Sequence, residues 1–103
     1  MTTASPETLS AREIFSLKGH TALITGASSG LGLTFAQVLH EAGARVILAA
    51  RREDRLTAEA ARLGEAALAV RLDVADAASI HACFAELAAR GVVADIVVNN
   101  AGI

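Results

Sequence analysis

The stretch TALITGASSGLGLTF, residues 21–35, passes from an apolar run through three closely spaced glycines into a second apolar run. The first run has the length of a strand, and the second begins a helical pattern. Gly26, Gly30 and Gly32 therefore lie in a turn that leads from a strand into a helix. Such a turn lets a phosphate group approach the backbone with no Cβ in the way, and the first helical amides attract its charge.

The three glycines have different predicted roles in this turn. Gly26 makes the turn, Gly30 allows the close approach of a ligand, and Gly32 brings the helix into contact with the sheet. A P-loop is one alternative, but it requires Gly-Lys-Ser/Thr at its end, and here Leu31 and Leu33 follow the glycines. A plain turn whose glycines serve only packing is the other alternative.

Apolar runs and helical patterns alternate along the rest of the chain. The sequence predicts strands over residues 21–25, 45–50, 67–72 and 95–99. Apolar residues recur at helical spacing in the first predicted helix: Leu31, Phe35, Val38, Leu39 and Ala42. The second predicted helix, residues 53–63, has apolar residues at Leu56, Ala60 and Leu63. The third begins after an N-cap at Asp76, and its apolar residues are Ile80, Cys83, Phe84, Leu87 and Ala88.

The order βαβαβαβ with right-handed crossovers predicts an α/β fold, a Rossmann-type doubly wound parallel sheet with strands in the order 3-2-1-4. Strands one and four are then neighbours, and their carboxyl ends at Thr25 and Asn99 form the expected ligand site. We expect residues 17–103 to form the amino-terminal part of a dinucleotide-binding domain. Residues 1–16 form an extension, in which the capping-box spacing of Ser10 and Glu13 predicts a short helix.

Composition and charge exclude several classes of partner. The chain is 53% hydrophobic with a net charge of -2, and its nine basic residues are scattered among eleven acids, so no nucleic-acid partner is expected. No signal peptide or membrane-length apolar run is found, and the single cysteine, Cys83, fits a reducing compartment. We therefore expect a cytoplasmic protein with no membrane partner.

The three histidines do not suggest a metal site. His20, His40 and His81 are far apart in the sequence, and no Cys/His/carboxylate spacing accompanies them. His81 and Cys83 are two residues apart on a predicted helix and point to different faces. We expect structural roles for all three histidines and no bound metal.

Two motifs resemble those of the short-chain dehydrogenase/reductase family. TGASSGLG, residues 25–32, resembles the family's TGxxxGxG cofactor motif, and NNAG, residues 99–102, resembles its second motif. The resemblance implies a pyrophosphate-binding loop that contains Gly26, Ser28, Ser29, Gly30, Leu31 and Gly32. It implies adenine contacts from Asp73 and Val74, and a ribose-lining segment that supports the central strand, made of Asn99, Asn100, Ala101 and Gly102. The alternative is that Asp73 only ends the third strand and has no contact with a ligand.

The end of the second strand bears on the choice of cofactor. NAD-binding members of such folds place an acidic residue there, which accepts from the ribose 2′-hydroxyl and repels a 2′-phosphate. Ala50 occupies this position and Arg51 follows it, so NADP(H) is favoured over NAD(H). Arg52 or Arg55 would add charge, although the arginines would also suit the solvated start of a helix. Ser29 slightly weakens the prediction of NADP(H), because some relatives that prefer NADP carry a basic residue at this position.

The resemblance implies hydride transfer between NADP(H) and a carbonyl or alcohol substrate, by means of a tyrosine, a lysine, a serine and a further asparagine. This chain contains no tyrosine and ends at Ile103, so no catalytic residue is assigned to it. We expect a fragment, the cofactor-binding part of an oxidoreductase that forms homo-oligomers when complete. A non-catalytic nucleotide-binding or interaction module is the alternative.

Overall fold

The structure, a computed structural model, describes residues 16–27 and 30–100. The predicted alternation of strands and helices is confirmed within these residues. The elements are β1 (Thr21–Thr25), α1 (Gly30–Glu41), β2 (Arg45–Ala50), α2 (Glu53–Leu63), β3 (Ala67–Arg71), α3 (Ala77–Ala89) and β4 (Ile96–Val98). The short helix predicted from Ser10, and most of the predicted extension, lie outside the described residues.

The strands form one parallel sheet in the predicted order β3-β2-β1-β4. Thr21 to Thr25 of β1 pair in register with Arg45 to Ala49 of β2. On its other side β1 pairs with the three residues of β4. The winding therefore reverses between β1 and β4, and the doubly wound fold is confirmed.

The core lies on both faces of this sheet, because successive strand residues point to opposite sides. Ile24 and Leu48 pack on one face with α1 and α2, whereas Leu23 and Ile47 pack on the other face with α3. The first cluster consists of Ala22, Ile24, Ala27, Ala36, Ala44, Val46, Leu48, Ala50, Leu56 and Ala60. The second consists of Leu23, Ile47, Ala49, Val70, Leu72, Cys83, Leu87 and Val92.

The helix predicted from Leu31, Phe35, Val38, Leu39 and Ala42 is present as α1, but it packs closely on the sheet through its small residues. Gly32 and Ala36 are the buried residues of this helix, whereas Leu31 is 53% exposed and Val38 57% exposed. The small residues face the sheet because Gly32 lies against the backbone of Gly26, so the helix is held too close for leucine there. In α3, Phe84 is likewise half-exposed, whereas Cys83 and Leu87 are buried against the sheet.

The element boundaries differ from the prediction by single residues. β3 ends at Arg71 instead of residue 72, and β4 covers Ile96–Val98 instead of residues 95–99. The predicted N-cap of α3 is present, since the Asp76 side chain accepts a hydrogen bond from Ala78 N. β4 is a short edge strand, and its Val97 side chain is exposed.

Asp95 ties the amino ends of β1 and β4 together. Its Oδ1 accepts from Thr21 N at 2.7 Å, and its Oδ2 lies 2.6 Å from His20 Nδ1. The hydrogen bond from the Thr21 backbone lowers the pKa of Asp95, and the hydrogen bond to His20 lowers it further. His20 thus has a structural partner at the end of the sheet opposite the glycine turn.

We expect the fold to lose stability in acid through Asp95. A carboxyl whose pKa is lower in the folded protein stabilises the fold above its unfolded-state pKa of about 3.9. That contribution is lost as the pH falls through the lower folded-state pKa. Urea unfolding between about pH 7 and about pH 2 should show a shallower acid decline for Asp95→Asn than for the parent.

A matched control is Glu65→Gln, because the Glu65 side chain is exposed, lies outside the helices and makes no hydrogen bond or ion pair within the described residues. Its acid decline should follow that of the parent protein. Identical declines for the parent and Asp95→Asn would contradict the stabilising role of Asp95.

Candidate functional site

The glycine turn joins the carboxyl end of β1 to α1. Gly26 has a φ of 64° and Gly30 a φ of 61°, both in the left-handed region that favours glycine. A Cβ on Gly30 would meet no atom of the described residues within 4 Å, so the backbone there borders open space in this part of the chain. A Cβ on Gly32 would lie 2.4 Å from Gly26 O, and so this glycine holds helix and turn in close contact.

A small hydrogen-bond network joins this turn to the end of β4. Asn100 N donates to Thr25 Oγ1 at 2.8 Å, and Asn100 Nδ2 donates to Gly26 O at 3.4 Å. The Thr25 hydroxyl lies within hydrogen-bond distance of Val98 O and of Asn99 Oδ1. Asn100 Oδ1 is buried and has no hydrogen-bond partner in the described part of the chain. The network fixes the glycine turn against the switch point of the sheet.

A cavity of about 320 Å³ opens beside the glycine turn, where β1, β2 and β3 end. Its lining residues come from the turn, the β2–α2 junction and the β3–α3 loop: Gly26, Ala50, Arg51, Arg52, Leu72, Asp73, Val74 and Ala75. Parallel sheets of this kind bind ligands at such a position, beyond the carboxyl ends of their strands. The sheet thus brings together five residues that the sequence predicts to bind a cofactor: Gly26, Arg51, Arg52, Asp73 and Val74.

The β2–α2 junction gives one wall of this cavity a positive charge. Ala50 is the last residue of β2 and only 7% exposed, whereas Arg51 and Arg52 are exposed. Arg52 is the N-cap of α2, and its side chain makes no capping hydrogen bond. Arginine has no acceptor with which to cap the first helical amides, and its charge adds to the positive end of the helix dipole. The junction therefore suits a negatively charged ligand group.

The β3–α3 loop forms the opposite wall and is held by its own hydrogen bonds. Asp73 Oδ1 accepts from Ala75 N at 3.0 Å, and Asp76 N donates to Asp73 O at 3.1 Å. Asp73 N donates to the hydroxyl of Ser79 at 2.8 Å. The sequence analysis missed Ser79, because its partner is a backbone amide six residues earlier, outside any helix-capping pattern.

Other predicted site residues lie apart from this cavity. Asn99 borders a second, mostly apolar cavity of about 500 Å³, which is lined by Leu23, Thr25, Leu72, Val74, Ile80, Phe84, Val97 and Asn99. Leu31 is exposed on the first turn of α1 and does not line the first cavity. Arg55 is exposed on α2 and is also not among the lining residues. The predicted contacts Ser28, Ser29, Ala101 and Gly102 lie outside the described residues.

The remaining chemically reactive side chains lie outside these cavities. Cys83 is a buried residue of α3, and burial raises the pKa of its thiol, with a smaller contribution from Glu86. No group of three metal-ligating side chains occurs in the part of the chain that the structure describes. Across residues 16–27 and 30–100, no helix combines the length and apolar character needed to cross a membrane.

Known proteins resemble this chain in sequence and in fold. A sorbitol dehydrogenase from Cereibacter sphaeroides is 48% identical over 87 residues, which cover 84% of this chain and 34% of the relative. The solved gluconate 5-dehydrogenase from Burkholderia cenocepacia J2315, in complex with NADP and tartrate, is 43% identical with a TM-score of 0.82. The match covers 91% of this chain and 38% of that structure.

A second solved structure holds the other nicotinamide cofactor. The 3-ketoacyl-(acyl-carrier-protein) reductase from Brucella melitensis, complexed with NADH, is 38% identical with a TM-score of 0.72. That match covers 80% of this chain and 34% of the reductase. The matched segment of this chain thus covers about a third of the length of each of these three proteins.

The family assignment rests on most of the chain. The family model described as short chain dehydrogenase matches residues 20–103, which include both the glycine turn and the NNAG motif. The solved dehydrogenases have the same fold over four fifths of the chain or more. The chain therefore belongs to the short-chain dehydrogenase family.

Proposed function

We propose that this chain is the NADP(H)-binding portion of an oxidoreductase that transfers hydride between NADP(H) and a carbonyl or alcohol substrate. The observation that carries the proposal is the β2–α2 junction, where Ala50, Arg51 and Arg52 line one cavity with Gly26 and Asp73. The bound dinucleotide would supply the hydride, and the residues of this chain would bind and orient its adenosine half.

The glycine turn fits the pyrophosphate of such a cofactor. Among the described residues Gly30 borders open space, and the first amides of α1 follow it, so an anion would approach this backbone with no Cβ of its own in the way. Gly32 would act indirectly, because its contact with Gly26 holds the helix against the turn. Asn100 would support the same turn through its hydrogen bond to Gly26 O.

The opposite wall fits the adenosine end. Asp73 and Val74 would contact the adenine ring, the first with its side chain and the second with its backbone. Within the described residues, the only hydrogen bond to the Asp73 carboxylate comes from Ala75 N to Oδ1. Oδ2 is therefore available to accept a hydrogen bond from a base. We propose that residues 99–102 line the adenosine ribose, as the family resemblance implies.

The preference for NADP(H) follows from charge at the end of β2. Solved relatives hold either NADP or NADH, so the fold alone does not select between the two. A carboxylate after β2 would repel a 2′-phosphate, and here Ala50 supplies none. Arg51 and Arg52 would instead bind that phosphate with the fixed fork of guanidinium donors.

The chemistry of hydride transfer needs more than the residues of this chain. Reduction of a carbonyl requires a proton donor beside the developing alkoxide and a wall that holds the substrate against the nicotinamide. The sequence contains no tyrosine, which is the proton donor that the family resemblance implies. We propose that the complete protein supplies these groups, binds a small carbonyl or alcohol compound, forms homo-oligomers and acts in the cytoplasm.

The proposal is tested by NADPH consumption with a panel of aldehydes and ketones. We expect no turnover by residues 1–103 and turnover by a form extended along the natural reading frame by about 150 residues, within the usual size of a domain. Changing the family tyrosine of the extended form to phenylalanine should abolish the activity. Activity of residues 1–103 that survives repurification would contradict the proposal, and a stop codon directly after Ile103 would favour a non-catalytic module.

A further inference from the structure

We propose that Ser79 is a positioning residue for adenine recognition, which sets the direction of Asp73 and Val74 without touching the nucleotide. This inference rests on the proposed function, because it concerns the same cavity. Asp73 and Val74 line the cavity, whereas Ser79 does not and lies behind the loop that carries them. Neither of the two family motifs includes this serine.

Within the described residues, the hydroxyl of Ser79 has one hydrogen-bond partner, Asp73 N. Ser79 lies in the first turn of α3 and is only 6% exposed. Its Oγ accepts a hydrogen bond from Asp73 N at 2.8 Å. This bond joins residues six apart in the chain and connects the end of β3 directly to α3. A buried hydroxyl that accepts from a loop amide fixes the loop backbone relative to the helix.

The other hydrogen bonds of the loop do not replace this one. Asp73 Oδ1 accepts from Ala75 N and Asp73 O accepts from Asp76 N, so both bonds stay within the loop itself. Leu72 N donates to Ala50 O at 2.9 Å and holds the start of the loop on β2, whereas the bond from Asp73 N to Ser79 Oγ joins Asp73 itself to α3. Removing the Ser79 hydroxyl would leave the partly buried amide of Asp73 without its acceptor, and the loop would move to reach water.

Such a movement would change the selectivity for the nucleotide base more than it would change the fold of the protein. The 6-amino group of adenine is a donor suited to a carboxylate, whereas the 6-oxo group of hypoxanthine is an acceptor that a carboxylate repels. A well-placed Asp73 therefore favours NADPH over its hypoxanthine analogue. A displaced Asp73 favours neither, and so the ratio of the two affinities reports the position of the loop.

The experiment compares the binding of NADPH and its hypoxanthine analogue to the complete protein, by calorimetry. We expect the parent to prefer NADPH by about tenfold, and Ser79→Ala to reduce that preference to less than about threefold. The control is Thr57→Ala, which removes an exposed hydroxyl that donates to Glu53 O on α2, away from the cavity. It should retain the full preference. Where Ser79→Ala fails to fold, Ser79→Cys carries the same comparison, because a thiol is a weaker acceptor.

The outcomes separate this inference from the proposed function. A parent protein that binds neither nucleotide overturns the proposed function, and this inference with it. A parent that binds both nucleotides equally, or a Ser79→Ala variant that keeps the preference, overturns the role of Ser79 and leaves NADP(H) binding intact. Loss of the preference in Thr57→Ala as well would also overturn it, since the effect would then not be specific to the loop.

Discussion

Replacing Gly32 by alanine is expected to weaken NADPH binding by the complete protein about a hundredfold. The new Cβ would lie 2.4 Å from Gly26 O and 2.6 Å from Asn100 Nδ2, and the backbone carbonyl cannot turn aside as a flexible side chain would. Helix α1 must therefore move away from the turn, and the amides that would hold the pyrophosphate move with it. Fluorescence titration with NADPH measures the affinity, and urea unfolding measures the accompanying loss of stability.

The matched control for this change is Gly64→Ala at the end of α2. Gly64 has a φ of 104°, so alanine is strained there, but its Cβ would meet no atom within 4 Å. We expect a loss of stability on the order of 1 kcal/mol and an unchanged affinity for NADPH. An affinity for NADPH that survives Gly32→Ala would show that the close contact of α1 with the turn is not needed for binding.

The second large effect concerns the choice between the two nicotinamide cofactors. Arg51→Ala should weaken NADPH binding about ten- to a hundredfold and leave NADH binding nearly unchanged, because a charge-assisted hydrogen bond to the 2′-phosphate is lost. Adding Ala50→Asp should reverse the preference, since a carboxylate at the end of β2 accepts from a 2′-hydroxyl and repels a phosphate. Calorimetric titration of each variant with both cofactors measures the ratio.

Arg62→Ala is the control for the loss of positive charge. Arg62 lies in the last turn of α2, is exposed and pairs with Glu59, so it has no place in the cavity. Its removal should leave the ratio of the two affinities unchanged. If the unmodified protein binds NADPH and NADH equally, the assignment of the 2′-phosphate to Arg51 is wrong.

The sheet could be predicted from the sequence because its strands are short apolar runs bounded by glycines and polar residues. β1 and β2 begin and end at the predicted residues, since clear turn signals flank both. The order of the strands followed from the right-handed crossovers together with the doubly wound topology of dinucleotide-binding folds. That order predicted the carboxyl end of β1 beside that of β4, whereas the roles of Asp73 and Arg51 came from the family resemblance and from the cofactor pattern at the end of β2. The structure places Gly26, Arg51 and Asp73 around one cavity.

The packing of α1 could not be predicted in the same way. Hydrophobic periodicity assigns the helix face to its largest apolar residues, Leu31 and Val38, whereas the distance between helix and sheet is set by a glycine contact. Such a contact depends on the position of Gly26 O, and the hydrophobic pattern of one helix gives no information about that position. Ser79 was missed for a similar reason, because its partner is a backbone amide of the loop six residues earlier.

The most direct test of the account is a map of where the adenosine end of the cofactor binds. Titrating the isotope-labelled complete protein with adenosine 2′,5′-bisphosphate, and following its amide resonances by NMR, locates that site. We predict the largest shifts at Gly26, at Arg51 and Arg52, and over residues 72–75, the backbone that lines the first cavity. Shifts confined to other parts of the protein, or no shifts at saturating bisphosphate, would contradict the assignment of this cavity to NADP(H).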